Sequence, residues 1–569
     1  WMDIQNHYQT DLETLKRRLP IRVADERLSQ TAAFLAAWES QLQTAIGAEG
    51  DAGLSDADAE VAHELLAAVG DEKKQLKTLV ASSEELRELA PFTDQLISLT
   101  DLSNRVKPLD GQAMAAEMEA LSKTLDSFQQ KEKDETVAVS QPVMDAADDL
   151  VDAYQSWQTF YEGYHPDFNW WVLDLAKETG SKLRAWKEGL TVDESLTEKL
   201  SKRVVSDSIE LPAPAETFVF GEAYPPIETW SQREATWMPS IVRRFTRRSR
   251  DREKKAAQLP QWKEELAALK LDGKPFEEWS LDDQVDWHLL TAEVETRLER
   301  KRIEEVGEKL APATSSVEKD LSGTPVGRER IELELRRQFI DHSPEELIEL
   351  AEQEYAIVRS EMVRVAQDMG LGDDWKAAVE RMKNHHVAPG QQPVLIGEMA
   401  DQSVEWLQKR DWITVPPFAD YCWRMIMMTP ERQKVNPFFT GGEVISVSFP
   451  TSEMSPSDKR QSLRGNNIGY ARATVHHELI PGHHLQMYSN ERFQPHRRTM
   501  STPFWLEGLA VYWELKLYDD GFARTPEERM GMLVWRAHRC ARIIFSLNFH
   551  LGRFSPDQCV DFLVDNVGF

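Results

Sequence analysis

Cysteine is scarce: Cys422, Cys540 and Cys559 are the only three in 569 residues, and no two stand in C-x-x-C spacing. A disulfide framework is therefore excluded, and burial as small apolar side chains is the expected role. Long apolar runs are missing too; no stretch of eighteen exists, so nothing is expected to span a membrane. Positive charge is short, 67 Lys and Arg against 96 Asp and Glu, a net −29 that opposes sequence-independent binding to nucleic acid or to anionic membranes. The one basic stretch, Arg243 to Arg252, is soon followed by Glu264 and Glu265 and reads as a solvated helix face. Strand signals are nearly absent, as are repeats and low-complexity segments. No leader is visible, and the opening at Trp1 in place of Met is consistent with a removed one. What is present suits a globular enzyme: 41% hydrophobic residues, 18 Trp and 22 Phe, ample for a sizeable core.

Apolar residues recur at helical spacing over most of the chain. The spacing predicts helices over residues 31–46, 57–69, 84–99 with a break at Pro91, 112–130 and 144–161. It resumes over 233–269 with interruptions at Pro239 and Pro260, then 281–306, 328–339 and 344–369. Four prolines within residues 211–227 break the pattern. The expected organisation is an N-terminal helical region, 1–210, a Pro-rich connection, 211–230, and a helical catalytic region, 231–569. Only Glu443 to Phe449 reads as a strand, with Ile445, Val447 and Phe449 alternating against Ser446 and Ser448. The fold class expected is mainly α, a large multi-helix body with a small β-sheet.

The most informative stretch is His476-His477-Glu478-Leu479-Ile480-Pro481-Gly482-His483-His484, four of fourteen histidines in nine positions. Imidazole is the commonest nitrogen ligand for zinc, and a carboxylate beside the metal is the usual base of a metallohydrolase. The spacing departs from H-E-x-x-H, because Pro481 stands four after His477. On a straight helix His483 would lie about 120° around from His477, and His484 about 10.5 Å along the axis. Pro481 cannot bond back to the carbonyl of His477, and Gly482 tolerates unusual dihedrals. A bulge at Pro-Gly would absorb two residues and return His483 to the face of His477, giving an interrupted zinc helix. His484 is the alternative ligand and His476 a neighbour; His385 and His386 read as a helix end and loop.

A third ligand is expected on a second helix, within Trp505 to Glu514, whose Leu506, Leu509, Ala510 and Trp513 follow a buried-face spacing. Glu507 stands there among Trp and Leu, where a charge is costly unless paired or metal-bound. Glu514, seven on and on the same side, is a candidate support for a ligand or an ordinary buried ion-pair partner.

HHELIPGHHLQ followed by WLEGLAVYWE resembles the bacterial domain-of-unknown-function family 885, with its HE-x-x-PGHH-x-Q and EGWA-x-Y-x-E. The likeness extends to Thr324–Glu329 (TPVGRE), to residues 339–350 (FIDHSPEELIEL) and, more loosely, to Arg536-Ala537-His538-Arg539 and His550–Ser555. It covers residues 320–569 well and the first half loosely. The resemblance implies a gluzincin-like zinc peptidase, with two helix histidines and a downstream glutamate on the metal. WLEGLAVY is also similar to the WLNEGFA string of aminopeptidase N-like enzymes, where that glutamate is the third ligand. Many relatives are exported or lipid-anchored, which implies an exported or periplasmic location over a cytoplasmic one. In that family the chain usually runs on beyond the equivalent of Phe569.

The expected function is therefore zinc-dependent hydrolysis, most simply of short peptides. His477, His483 and Glu507 would hold Zn²⁺, Glu478 would act as general base, and His550 or Arg542 would face the oxyanion. In gluzincins an edge strand above the zinc helix binds the substrate backbone, and Glu443 to Phe449 is placed either for that or as a plain core strand. Two alternatives stay open: a zinc hydrolase of a non-peptide amide or ester, and an inactive helical binding scaffold.

Overall fold

The computed structural model describes residues 2–47, 54, 56–104, 106–131, 136–205, 209–215, 236–247, 252–270, 274–306, 323–433, 436 and 438–568. It is 75% helical, and its only strands among the described residues form two small two-stranded sheets. The chain is mainly α, as its spacing predicts.

Where periodicity and end signals agree, the elements fall where expected. Leu281–Val306 is one helix with Asp282 and Asp283 in its first turn. Pro344–Asp368 begins at a capping box in which the Ser343 hydroxyl accepts from the Glu346 N–H and Glu346 reaches back to the Ser343 N–H. Pro91 separates the helices Asp56–Leu89 and Thr93–Asn104. Pro239 sits in the first turn of Met238–Arg247, where a missing N–H costs nothing. Pro260, in contrast, does not interrupt its helix, which runs Arg252–Leu269 through it. A further helix, Met2–Arg18, lies ahead of those expected; its Ile4, Tyr8, Leu12 and Leu15 carry the spacing of a buried face.

The described residues divide into two compact units built from non-consecutive stretches, 1–233 with 386–466 and 478–493, and 234–385 with 467–477 and 494–569. This division cuts through the single block 231–569 expected from sequence. Of the Pro-rich connection, residues 216–230 lie outside the described residues.

The first unit has an aromatic centre in which Tyr161 stacks on Phe168 and Trp157 meets both edge-on, all three buried. Strands β1 (Val137–Val139) and β2 (Leu190–Val192) pair in parallel, as do β3 (Arg424–Met427) and β4 (Val444–Val447). Only β4 was legible in sequence. Its serines are not solvated as the alternation implied: Ser446 and Ser448 are buried with Ile445 and Val447. The Ser448 hydroxyl donates to Gln433. Opposite β3, the Ser446 backbone bonds Thr440 in both directions, at 2.8 and 3.1 Å. That edge of β4 is already used at Ser446, which favours the core-strand reading over substrate-strand addition. The helix His483–Arg492 is held by the amino-terminal helix through buried Arg492, 2.6 Å from fully buried Asp11. Asn6 adds a bond to the Glu491 carbonyl.

In the second unit, helices Pro344–Asp368 and Pro526–His550 pack along their lengths. The Ile468–Glu478 helix crosses the latter at a glycine pair: a Cβ on Gly531 would lie 2.1 Å from the Gly469 carbonyl carbon, so only two glycines allow this approach. The same crossing is tied by a buried ion pair, Arg472 to Glu528 at 2.8 Å. Buried Asp286 takes His496 at 2.7 Å and Arg497 at 2.6 Å, fixing the turn that leads to the helix Pro503–Asp519. All three cysteines are buried and free.

Candidate metal centre

The interrupted helix is a break rather than a bulge. Regular structure stops at Glu478 and restarts at His483, with Leu479 to Gly482 as a turn containing a cis Ile480–Pro481 bond. The N–H groups of His484 and Leu485 both reach back to the Leu479 carbonyl, and Ser403 donates to the carbonyl of Ile480 at 2.7 Å. Gly441 and Gly442 lie against Glu478; the Gly442 N–H bonds the Glu478 carbonyl at 3.3 Å, and a Cβ on Gly441 would come within 2.3 Å of that oxygen. The consequence expected of a bulge is nonetheless reached. His477, His483 and Glu507 each offer one ligand atom, all within 4.8 Å of one another, the one such His/Cys/Asp/Glu group among the described residues.

His477 Nε2 is 3.5 Å from Glu507 Oε2. Two atoms bound to zinc at about 2.0–2.2 Å in a tetrahedron stand about 3.4 Å apart, so this pair already has the spacing of one edge. Two imidazoles and a carboxylate are a zinc donor set that leaves a fourth position. On the other side of the same ring, His477 Nδ1 donates to Glu514 Oε1 at 2.5 Å. That bond points Nε2 toward Glu507. The seven-residue interval puts Glu507 and Glu514 on one side of their helix, where both meet the same imidazole.

Arg539, from helix Pro526–His550, was not singled out as a functional residue in sequence. It lies 2.6 Å from Glu514 Oε1. Burial alone would raise the Glu514 pKa, but Arg539 and His477 hold it down at about 2. His477 is the converse: burial lowers its pKa, and the bonds from Glu507 and Glu514 outweigh this, lifting it to about 9 in the metal-free protein.

The remaining candidates go elsewhere. His484 is buried in the first unit with Nε2 donating to the Ala419 carbonyl at 2.7 Å, and burial pushes its pKa down to about 4. His476 is buried edge-on against Phe522. His385 lies just past the helix Trp375–Lys383, its carbonyl accepting from the Ile468 N–H. Glu478 is half-buried and follows His477 directly. Glu507 is not the buried charge that its neighbours suggested, since its side chain is 58% exposed. Arg542 is exposed. His550 stands eleven positions past Arg539 on the same helix, about 16 Å along the axis. His538, half-buried beside Arg539, is closer; burial, then Arg539 and Arg542, push its pKa down to about 4.

Residues 300–569 match the family described as bacterial protein of unknown function, DUF885. This part of the chain, a little under half of it, is similar to that family. Every residue of the cluster, with Glu478, Glu514 and Arg539, falls inside the DUF885 region. No curated protein matches the chain. Among solved structures, a proposed lipoprotein of unknown function from Shewanella oneidensis is 15% identical over 87% of both chains, with a TM-score of 0.37. A second, a proposed lipoprotein from Colwellia psychrerythraea, is 11% identical over 100% of this chain and 87% of its own, with a TM-score of 0.34. No helix among the described residues is long and apolar enough to cross a membrane.

Proposed function

We propose that this protein is a zinc-dependent hydrolase that cleaves short peptides. One observation carries the reading: two imidazole nitrogens and a carboxylate oxygen converge within 4.8 Å, and one of those imidazoles is oriented from behind by a buried carboxylate. Zinc, when bound, supplies Lewis acidity and an acidified water. Glu478, next to His477, takes a proton from the attacking water as its oxygen bonds the carbonyl carbon, then passes it to the amine as the carbon–nitrogen bond breaks. Glu514 holds the His477 ring throughout, and Arg539 balances the Glu514 charge.

Metal quantification combined with a peptide-library digest tests this. The expected result is about one zinc per chain and cleavage of some peptides, with Glu478→Gln keeping the zinc and losing at least ~10²–10⁴-fold in turnover. Zinc without peptide cleavage, but with turnover of acyl esters or non-peptide amides, would move the assignment to that substrate class. A chain that takes up no zinc would leave a binding scaffold.

A further inference from the structure

The helix that carries Glu507 and Glu514 exposes large aromatic rings on another of its faces. Phe504 is 57% exposed, Trp505 54% and Tyr512 52%. Phe504, Gly508 and Tyr512 are four apart and therefore lie along one side of the helix. Gly508 leaves a gap between the two rings: a Cβ built there meets nothing nearer than the Phe504 ring at 3.9 Å. On a helix this spacing sets Phe504 and Tyr512 one turn to either side of Gly508, so that its bare backbone floors a slot between them, with Trp505 on the neighbouring side. Glu507, the cluster's carboxylate, is the residue immediately before the floor, and at about 100° per residue its face adjoins that of Phe504.

The helix start is furnished for apolar contact, not for an anion. Pro503 has no N–H; the Phe504 N–H bonds Gln338 Oε1 at 2.7 Å, and the Trp505 N–H bonds the Thr502 hydroxyl at 3.2 Å. The Leu506 N–H bonds the Thr502 carbonyl. The first-turn donors that would otherwise attract a terminal carboxylate are occupied. Three half-exposed rings on one face are also more apolar surface than scattered single residues would give.

We propose that this slot seats an apolar side chain, aromatic or branched aliphatic, of a peptide substrate beside the bond that is cut. The inference rests on the metallopeptidase reading and names its substrate class: extended peptides with a large apolar residue flanking the scissile bond.

Competing pairs of peptides test it, identical except for Leu or Phe against Ser at each position flanking the cut, with kcat/KM ratios read by mass spectrometry. The zinc-loaded wild type is expected to favour the apolar peptide by ~10-fold or more, within the usual range for apolar selectivity. Gly508→Leu fills the slot without opposing the helix, and Phe504→Ser removes a wall; both are expected to bring the ratio close to one. Trp170→Ser, at an exposed tryptophan in the first unit, is the control and keeps the wild-type ratio. Circular dichroism establishes that each variant is folded. Peptide cleavage with an unchanged ratio in both slot variants, or with no apolar preference in the wild type, overturns the slot alone. If the wild type cleaves none of the peptides, the metallopeptidase reading has failed and the slot fails with it.

Discussion

Glu514 is a buried carboxylate lodged between a guanidinium and an imidazole, with its Oε1 2.6 Å from Arg539 and 2.5 Å from His477. Arg539→Met keeps the unbranched stem and removes the charged end, leaving the carboxylate to His477 alone. Removing one partner of a buried ion pair costs about 3–5 kcal/mol. Arg539 is partly solvated, so water reaches the vacated position, and a loss at or below the lower end, ~2–3 kcal/mol, is expected. Losing Arg539 also removes one of the two groups that fix the Glu514 carboxylate behind His477, so zinc affinity should fall by ~10–100-fold, the usual effect of disturbing a ligand's support. Glu514→Gln in the same background removes the uncompensated charge. The double variant should therefore regain most of the lost stability while its zinc affinity stays low. Urea unfolding of the metal-free proteins and chelator competition for zinc give the two readouts. If Arg539→Met equals wild type in both, Arg539 merely rests on Glu514 and the support argument is refuted. Additive losses in the double variant would equally deny the coupling.

The ligand set makes a sharper qualitative prediction: His477→Ala, His483→Ala and Glu507→Ala lose zinc, while His484→Ala, whose ring is engaged with Ala419, keeps it, as elemental analysis will report. Asp420 has its pKa raised to about 6, by burial first and then by Asp401. A raised carboxylate pKa means stability that is complete below about 4 and is lost as pH rises through about 6; Asp420→Asn should thus gain ~1–2 kcal/mol at pH 8 and nothing at pH 4, by denaturation at both. Gly531→Ala drives a methyl into the Gly469 backbone and should cost at least ~1–3 kcal/mol in thermal unfolding; a neutral result would mean that the two helices do not cross so closely.

Much of the fold and of the centre could be read in the residues themselves, because the signals are local. Helix spacing, a Ser-Pro-Glu-Glu cap and a proline break each act within a few residues, so Leu281–Val306 and the start at Pro344 were predictable. The same holds for the crowding of His and Glu about Pro481 and for the seven-residue interval from Glu507 to Glu514. Three-residue strands such as β1 and β2 show no period and went unseen. Glu507 does not have the burial that its apolar neighbours imply; its place in the cluster comes from its helix face. What only tertiary structure decided is where the chain turns and what each charge meets. Leu479 to Gly482 form a break whose geometry depends on Ser403 and the Gly441–Gly442 loop, both distant in sequence. His484 turns away because Ala419, sixty-five positions earlier, offers it a carbonyl. Arg539 reaches Glu514, twenty-five positions earlier, because its helix Pro526–His550 packs against Pro503–Asp519. Helix propensity is a property of neighbours along the chain, whereas the partner of a buried charge is set by packing, and packing joins residues that no spacing relates.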